Sequence, residues 1–298
     1  MRRSGKNARQ LEFPLLSNQE PAEQYSEVHE RQYGQSLICQ LANSNLATIR
    51  IINPQNYPYL NELLSPLKGQ ESVYFTPSEF HSPRRTTDQL AKINSFHIDL
   101  DKKLFRFSDK TLPYNWTNEL NILSAINKIL SFIKSKKLPL PKLVTHTGNG
   151  YHLYWLLKEE SYHCLPYCSL LQRNLIELLR PIGADPACCD PTRILRLAGT
   201  RHENGNIVQF YNVINAQKRW KLRQIYPLIH ESYQNFISIP KNPNQAAQIV
   251  ARGQKREILK YNPGWKNIRS FFQKVLDDLI KIAKAQPNQQ IPEGFRDE

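Results

Sequence analysis

The chain has 298 residues, and its 40 lysines and arginines against 26 aspartates and glutamates give a formal net charge of +14 at pH 7. This excess predicts a polyanionic partner, because neutralising phosphates releases their counterions. Hydrophobic residues make up 40% of the chain, but no apolar run is long enough to span a bilayer and none follows the basic N-terminus. Composition thus disfavours a membrane or secreted protein, and an odd number of cysteines, five, favours a reducing cytoplasm.

Strand and helix signals alternate along the chain, which predicts a mixed α/β (α+β) fold. Residues 1–20 are expected to form a flexible basic arm, and residues 21–238 a folded domain. Strand and short-helix signals alternate over 37–52, strands are predicted over 72–75, 95–101, 142–146, 151–157, 193–197 and 207–213, and helices over 120–136 and 165–179. Residues 239–298 are expected to be a linker and a small C-terminal helical region, with a helix over 268–285.

The segment Phe96-His97-Ile98-Asp99-Leu100-Asp101 is the most informative in the chain. Side chains alternate along a strand, so Asp99 and Asp101 share one face while Phe96, Ile98 and Leu100 point toward a core. Two carboxylates this close repel each other in the absence of a cation, and Mg²⁺ and Mn²⁺ prefer such oxygen ligands. The ordinary alternative is a strand end with two solvated aspartates.

Two later segments carry polar residues of matching chemistry. The turn Thr147-Gly148-Asn149-Gly150 joins two predicted strands, its backbone N–H groups can approach a phosphate closely, and His152 follows it. Asp185 and Asp190 precede an arginine-bearing strand over 193–197, which would bring a further metal ligand and cations to one place. A lone histidine on a strand is usually structural, so each segment by itself is a weak signal.

The three segments, in this order, resemble the motifs of the archaeo-eukaryotic primase (AEP) superfamily, in its primase-polymerase (PrimPol) branch of plasmids, phages and mobile elements. That family carries an hhhDhD strand, an S/T-G-x-G-x-H segment, and an hD segment that leads into an R-x-L-R-L-P-G-T-like strand. Here the motifs are Phe96–Asp101, Thr147–His152, and Ala184-Asp185 running into Arg193–Thr200. The resemblance covers roughly residues 70–215, and Ala198 stands where the family usually has proline.

The resemblance implies an AEP-type catalytic core of mixed sheets flanked by helices, and template-directed nucleotidyl transfer that extends or starts a primer on single-stranded DNA. Two Mg²⁺ or Mn²⁺ ions would be bound by Asp99, Asp101 and Asp185. Asp190 is the alternative third acid, and Asp185 is preferred because it suits the hD pattern. The residues implied to hold the incoming nucleotide are Thr147, Gly148, Asn149, Gly150, His152, Arg196 and His202. Arg84 or Arg85 would contact the template or a phosphate.

The expected partners are template and primer DNA, (d)NTPs, and a helicase or further domain of the same replication protein. Some family members carry zinc between the second and third motifs, where this chain has Cys164, Cys168, Cys188 and Cys189. Because Cys164-x₃-Cys168 is not a zinc knuckle, buried thiols are favoured over a zinc site. Residues 291–298 resemble the start of a segment that follows such domains in longer replication proteins, with a frayed tail as the alternative.

Two other functions remain open. Another DxD-dependent nucleotidyl or glycosyl transferase would share the carboxylate pair, but its reaction does not require a net charge of +14. A non-catalytic replication-initiator module would bind DNA and tolerate the loss of Asp99. A tyrosine nicking endonuclease is disfavoured because the sequence has no His-x-His pair. The preference for ribo- or deoxynucleotides is not readable from the sequence.

Overall fold

The computed structural model describes residues 12–30, 32–101 and 119–238. The chain separates into two units, Met1–Ser238 and Ile239–Glu298, and the described residues all lie in the first. The helix predicted over 268–285 and the segment 291–298 lie outside the described residues. The predicted limits of the catalytic domain and of the C-terminal region therefore stay predictions.

The described strands form two antiparallel sheets, and helices accompany both, so the predicted α/β (α+β) class is confirmed. In chain order the strands are β1 Leu15–Asn18, β2 Ser36–Ala42, β3 Asn45–Ile52, β4 Val73–Phe75, β5 Ser78–Phe80, β6 Leu90–Asp101, β7 Leu143–His146, β8 Gly150–Ser161, β9 Leu195–Arg196 and β10 Gln209–Val213. The larger sheet has the order β1-β10-β7-β8-β6-β5, and the smaller sheet has the order β3-β2-β4-β9.

The core joins the two sheets through apolar contacts. The helices are α1 Pro21–Val28, α2 Leu60–Leu64, α3 Glu119–Ser135, α4 Leu165–Leu179 and α5 Leu222–Ser238. Ile38 and Phe75 of the smaller sheet, Tyr25 of α1, Leu64 of α2 and Tyr154 of the larger sheet belong to one buried cluster. Helix α4 packs against both β6 and α5. No described helix combines the length and the apolar composition of a membrane span.

Apolar spacing predicts the long helices well because their buried faces follow the helical period. Helix α4 spans the predicted residues, and α3 begins and ends one residue before the predicted limits. On α3 the buried face includes Ile126, Ile129, Leu130 and Ile133. Helix α5 was not predicted, although the domain was expected to end near its C-terminal half.

Strand pairing explains where the sequence prediction falls short. Strand β6 begins at Leu90 rather than Ser95, and β8 continues to Ser161 rather than Leu157, because these extra residues pair with each other. The segment 37–52 is a hairpin of β2 and β3. Its turn residues Asn43 and Ser44 have φ of 49° and 63°, as a type I′ turn requires.

The flexible arm predicted over residues 1–20 extends too far. Strand β1 pairs with β10 along its whole length, and Phe13 is buried. This segment is an edge strand, and its backbone partners lie about two hundred positions later in the sequence. Its own residues therefore give little indication that it forms a strand. Residues 1–11 lie outside the described residues.

A buried carboxylate fixes the start of β6 to the rest of the larger sheet. Glu79 of β5 is fully buried and accepts hydrogen bonds from the backbone N–H groups of Tyr33 at 2.8 Å and Gly34 at 2.9 Å. Its other oxygen accepts from Asn94 Nδ2 at 3.0 Å and lies 3.7 Å from Lys92 Nζ. Since Lys92 and Asn94 belong to β6, this carboxylate connects the 33–34 loop, β5 and β6.

Replacing Glu79 by glutamine is expected to lower the free energy of unfolding by about 3 kcal/mol, because it uncouples these buried partners. Burial alone would raise the pKa of Glu79, but the hydrogen bond to His29, the charge of Lys92 and the Gly34 N–H lower it to about 2. A depressed pKa stabilises the fold above the unfolded value of 4.5, and this stabilisation is lost as pH falls toward 2. Urea unfolding at neutral and acid pH measures both effects.

The exposed Glu62 in the first turn of α2 offers a matched control. Glu62→Gln is expected to change the unfolding free energy by less than about 0.5 kcal/mol. Equal stability of the Glu79→Gln and Glu62→Gln variants would show that the buried network contributes nothing.

Candidate active site

An open cleft of about 470 Å³ brings together most of the residues that the motifs single out. The predicted residues that line it are Arg85, Asp99, Asp101, Thr147, Asn149, Gly150, His152, Asp185, Asp190, Arg196 and His202. The acids come from the larger sheet and the segment beside it, whereas Arg196 comes from β9 of the smaller sheet. The cleft therefore lies where the two sheets meet.

The pairing of β6 with β8 places the first two motifs side by side. Asp99 lies opposite His152 in the register, and Asp101 lies opposite Gly150. His152 Nε2 is 3.7 Å from Asp99 Oδ1. Because Ile98 and Leu100 are fully buried on the other face, the alternation predicted for this strand is observed.

Backbone hydrogen bonds bring the third motif to the same place. The Asp185 N–H donates to the Asp99 carbonyl at 2.8 Å, and the Asp101 N–H donates to the Gly183 carbonyl at 3.1 Å. Asp190 also lines the cleft, but its Oδ1 accepts from both the N–H and the hydroxyl of Thr192 at 2.8 Å, as a turn cap does. Asp185 Oδ1 likewise accepts a backbone N–H, that of Ala187 at 2.9 Å, so both acids cap turns, and Asp185 stays the preferred third acid because its backbone is hydrogen-bonded to that of Asp99.

Arg193 is a residue of the cleft to which sequence reasoning gave no role. Its Nη2 donates to Asp99 Oδ2 at 3.0 Å and to Asp185 Oδ2 at 2.7 Å, and its side chain is 23% exposed. The only signal was its position at the start of the third-motif strand. Strand alternation could not show that its guanidinium lies between two of the proposed metal ligands.

The electrostatics of the cleft come from burial and crowded charges. Burial raises the pKa of Asp99, Arg193 opposes this, and the nearby Asp185 and Asp101 carboxylates raise it further, so that the net shift is upward. Burial, Arg193 and Arg196 hold the pKa of His152 well below its usual range. His152 is therefore a neutral imidazole at physiological pH.

Two asparagines that sequence reasoning missed hold the glycine turn in place. The Gly148 carbonyl accepts from Asn204 Nδ2 at 2.9 Å and from Asn206 Nδ2 at 3.0 Å. Gly148 itself has φ of +90°, and a Cβ there would lie 2.7 Å from His202 Cβ. The turn and the 202–206 loop are thus packed together, and both line the cleft, the turn with Thr147, Asn149 and Gly150 and the loop with His202.

The basic residues of the cleft keep hydrogen-bond donors available. Arg196 lies over the ring of Tyr74, 4.8 Å from its centroid, and its Nη1 has no partner among the described residues. His202 Nδ1 accepts from the Asn204 N–H at 3.1 Å, so the Nε2 of the neutral ring carries the proton. Arg85 lines the cleft and donates to the Thr192 carbonyl, whereas Arg84 is exposed and does not line it.

The donor chemistry of the three acids suits a hard divalent cation, since all three supply carboxylate oxygens. Arg193 offsets one of the two negative charges of Asp99 and Asp185, and among the described residues no group of three or more His, Cys, Asp or Glu side chains is arranged to hold a metal ion. The chemical type of the three ligands fits a divalent ion, but their arrangement does not, so binding would require them to move. Within the described part of the chain, Cys164, Cys168, Cys188 and Cys189 form no disulfide.

Alanine at Gly148 is expected to destabilise the turn and to weaken nucleotide binding. Gly69 has φ of +78°, and a Cβ added there would have no neighbouring atom within 4 Å, so Gly69→Ala reports the backbone strain alone, about 1 kcal/mol. Gly148→Ala adds the collision with His202, which should raise the loss of unfolding free energy to about 2–3 kcal/mol. Thermal unfolding and nucleotide titration measure the two effects. Equal unfolding free energies and equal nucleotide affinities of the two variants would mean that the contact with His202 contributes to neither stability nor binding.

Comparison with known proteins found one similar curated protein and similar solved structures. No family model matches the chain. It is similar to a replication protein of Clostridium perfringens, 26% identical over 166 residues that cover 54% of this chain and 37% of that protein, so it spans well under half of its relative. One similar solved structure is the AEP domain of the cyanophage S-2L primase-polymerase, which is 16% identical, with 72% of this chain and 98% of that chain covered and a TM-score of 0.48. Another is the catalytic domain of primase RepB′ in complex with initiator DNA, which is 14% identical, with 75% of this chain and 99% of that chain covered and a TM-score of 0.40. The three motifs of the chain resemble those of the archaeo-eukaryotic primase superfamily, and a curated relative is a replication protein.

Proposed function

We propose that the chain is a DNA primase-polymerase, a nucleotidyltransferase that extends or starts a primer on single-stranded DNA during replication of a mobile element, phage or plasmid. The observation that carries this proposal is the convergence of the three motifs on one cleft, which is lined by the acids Asp99, Asp101 and Asp185 and by the basic residues Arg196 and His202. The similarity to a replication protein supports it.

The acids would provide the metal site of this enzyme. Mg²⁺ or Mn²⁺ ions held by Asp99, Asp101 and Asp185 would activate the attacking hydroxyl and neutralise charge on the triphosphate and leaving pyrophosphate. The protein's own contribution is to hold these carboxylates together against their repulsion. It does so by the backbone hydrogen bonds that join 183–185 to the end of β6.

The remaining residues of the cleft would orient the nucleotide. Arg196, whose Nη1 has no partner among the described residues, and the Nε2–H of His202 are donors suited to phosphate oxygens. His152 is held neutral beside Asp99, so it can donate one hydrogen bond without adding charge to the metal site. Thr147, Asn149 and Gly150 of the turn line the same cleft, although the N–H groups of Thr147 and Asn149 bond within the turn.

The net charge of +14 supports a nucleic-acid partner, and template and primer DNA are the partners that the proposed reaction needs. Arg85 lines the cleft and is placed to contact a backbone phosphate there. A helicase or a further domain of the same replication protein would act together with this chain.

A non-catalytic replication-initiator module is the second candidate. The bridge from Arg193 to Asp99 and Asp185 favours it, because an arginine that already reduces the repulsion of the carboxylate pair lessens their need for a metal ion. Such a module would bind DNA through the same basic residues and would incorporate no nucleotide.

A template-dependent incorporation assay separates the two candidates. With single-stranded template, labelled nucleotides and Mg²⁺ or Mn²⁺, with and without primer, the wild-type protein is expected to incorporate nucleotide. Asp101→Asn and Asp185→Asn should lower the rate by at least about 10²-fold, because each removes a charged metal ligand. Asp190→Asn should retain most of the rate, since Asp185 is hydrogen-bonded to the Asp99 backbone and to Arg193, whereas Asp190 is hydrogen-bonded to Thr192.

Full incorporation by the Asp101→Asn protein would exclude the enzyme that we propose. If Asp190→Asn were inactive while Asp185→Asn incorporated normally, the third ligand would be Asp190 and the proposed function would stand. Circular dichroism of each variant controls for loss of the fold.

Binding to single-stranded DNA is expected to weaken steeply with salt and to show little sequence preference, because the contacts would be to phosphates. The plot of log K against log salt should have a slope of about −0.7 for each neutralised phosphate. Arg85→Gln should reduce the slope by about one such contact, whereas Gln at the exposed Arg223 of α5 should leave it unchanged. A salt-independent affinity would contradict the electrostatic role of the positive charge.

A further inference from the structure

The Arg193 bridge occupies the atoms that a metal ion would need. A single nitrogen, Nη2, contacts Oδ2 of both Asp99 and Asp185, at 3.0 Å and 2.7 Å. The other oxygens of these acids also have neighbours: Asp185 Oδ1 accepts from the Ala187 N–H at 2.9 Å, and Asp99 Oδ1 faces His152 Nε2 at 3.7 Å. A divalent ion that bridges the two acids through their Oδ2 atoms therefore competes with Arg193 for those atoms.

Charge balance makes this an exchange of one cation for another. Asp99 and Asp185 are each only about one quarter exposed, so solvent does little to relieve their repulsion, and Asp101 adds a third carboxylate to the same cleft. Arg193 offsets one of the two negative charges of the pair. A divalent ion on the same two oxygens would repel the guanidinium and compete with it for their lone pairs.

We propose that Arg193 is a tethered counter-ion, which bridges Asp99 and Asp185 while the site holds no divalent ion and leaves them when one binds. This inference rests on the proposed function, which assigns the metal to these acids. It follows that Arg193 stabilises the metal-free protein and at the same time lowers its affinity for the metal. Its partial exposure, 23% of the side chain, leaves it room to move within the cleft.

The test uses the two opposite effects expected when Arg193 is removed, a lower stability of the metal-free protein and a higher affinity for the metal ion. Arg193→Gln is expected to melt at a lower temperature than the wild type in the presence of a chelator. In titration calorimetry without nucleotide or DNA, the same variant is expected to bind Mn²⁺ about tenfold more tightly, as if about one tenth of the wild-type molecules had Arg193 displaced. A merely structural arginine would lower the stability without tightening metal binding.

Two further variants complete the design. Arg193→Lys keeps a positive charge but has a different reach, so both its melting temperature and its Mn²⁺ affinity should lie between those of the wild type and Arg193→Gln. If the glutamine variant does not fold, the lysine variant decides by the same criterion. Arg223→Gln, at an exposed position on α5, should match the wild type in both measurements.

The outcomes distinguish this inference from the proposed function. Mn²⁺ binding to Arg193→Gln that is equal to or weaker than that of the wild type overturns the tethered counter-ion and leaves the enzyme proposal standing. If neither the wild type nor the Arg193 variants bind Mn²⁺, and Asp101→Asn is indistinguishable from them, the metal site itself is excluded and the proposed function fails with it.

Discussion

The register between β6 and β8 is the constraint on which the rest of the site depends. It places Asp99 opposite His152 and Asp101 opposite Gly150. A slip of one residue would turn the side chains of both aspartates into the core and the side chain of Leu100 out of it, because neighbouring side chains point to opposite faces. The burial of Ile98 and Leu100 therefore fixes the chemistry as well as the fold. Gly150 allows the two strands to approach here, since a Cβ would collide with the Leu100 carbonyl oxygen.

Much of this arrangement could be predicted from the sequence because it follows local rules. The alternation around Asp99 and Asp101 has a period of two residues, and the apolar faces of α3 and α4 have a period of 3.6 residues. The glycine turn before His152 follows from its residue types. The order of the three motifs then led to the resemblance. The placement of Asp185 beside Asp99 agrees with the preference for it over Asp190.

The rest depends on contacts that no local pattern specifies. Strand β1 exists because β10 offers it an edge, and β6 and β8 are long because each extends the other. Arg193 reaches Asp99 across 94 positions of sequence, and the Asn204 and Asn206 contacts to Gly148 depend on how one loop packs on another. The buried carboxylate of Glu79 could be mistaken in the sequence for an ordinary surface residue, since glutamate is rarely buried unless it is paired.

The division of the cleft between two sheets has a mechanical consequence. Asp99 and Asp101 belong to the larger sheet and Asp185 to the segment beside it, while Arg196 is on a two-residue strand of the smaller sheet, and the buried cluster that includes Phe75 and Tyr154 joins the two sheets. A small sliding of one sheet over the other would alter the separation between the acids and Arg196. The apolar packing behind the cleft thus sets the width of the cleft, so a change of side-chain volume in the buried cluster would alter the distance between the acids and Arg196 without touching either.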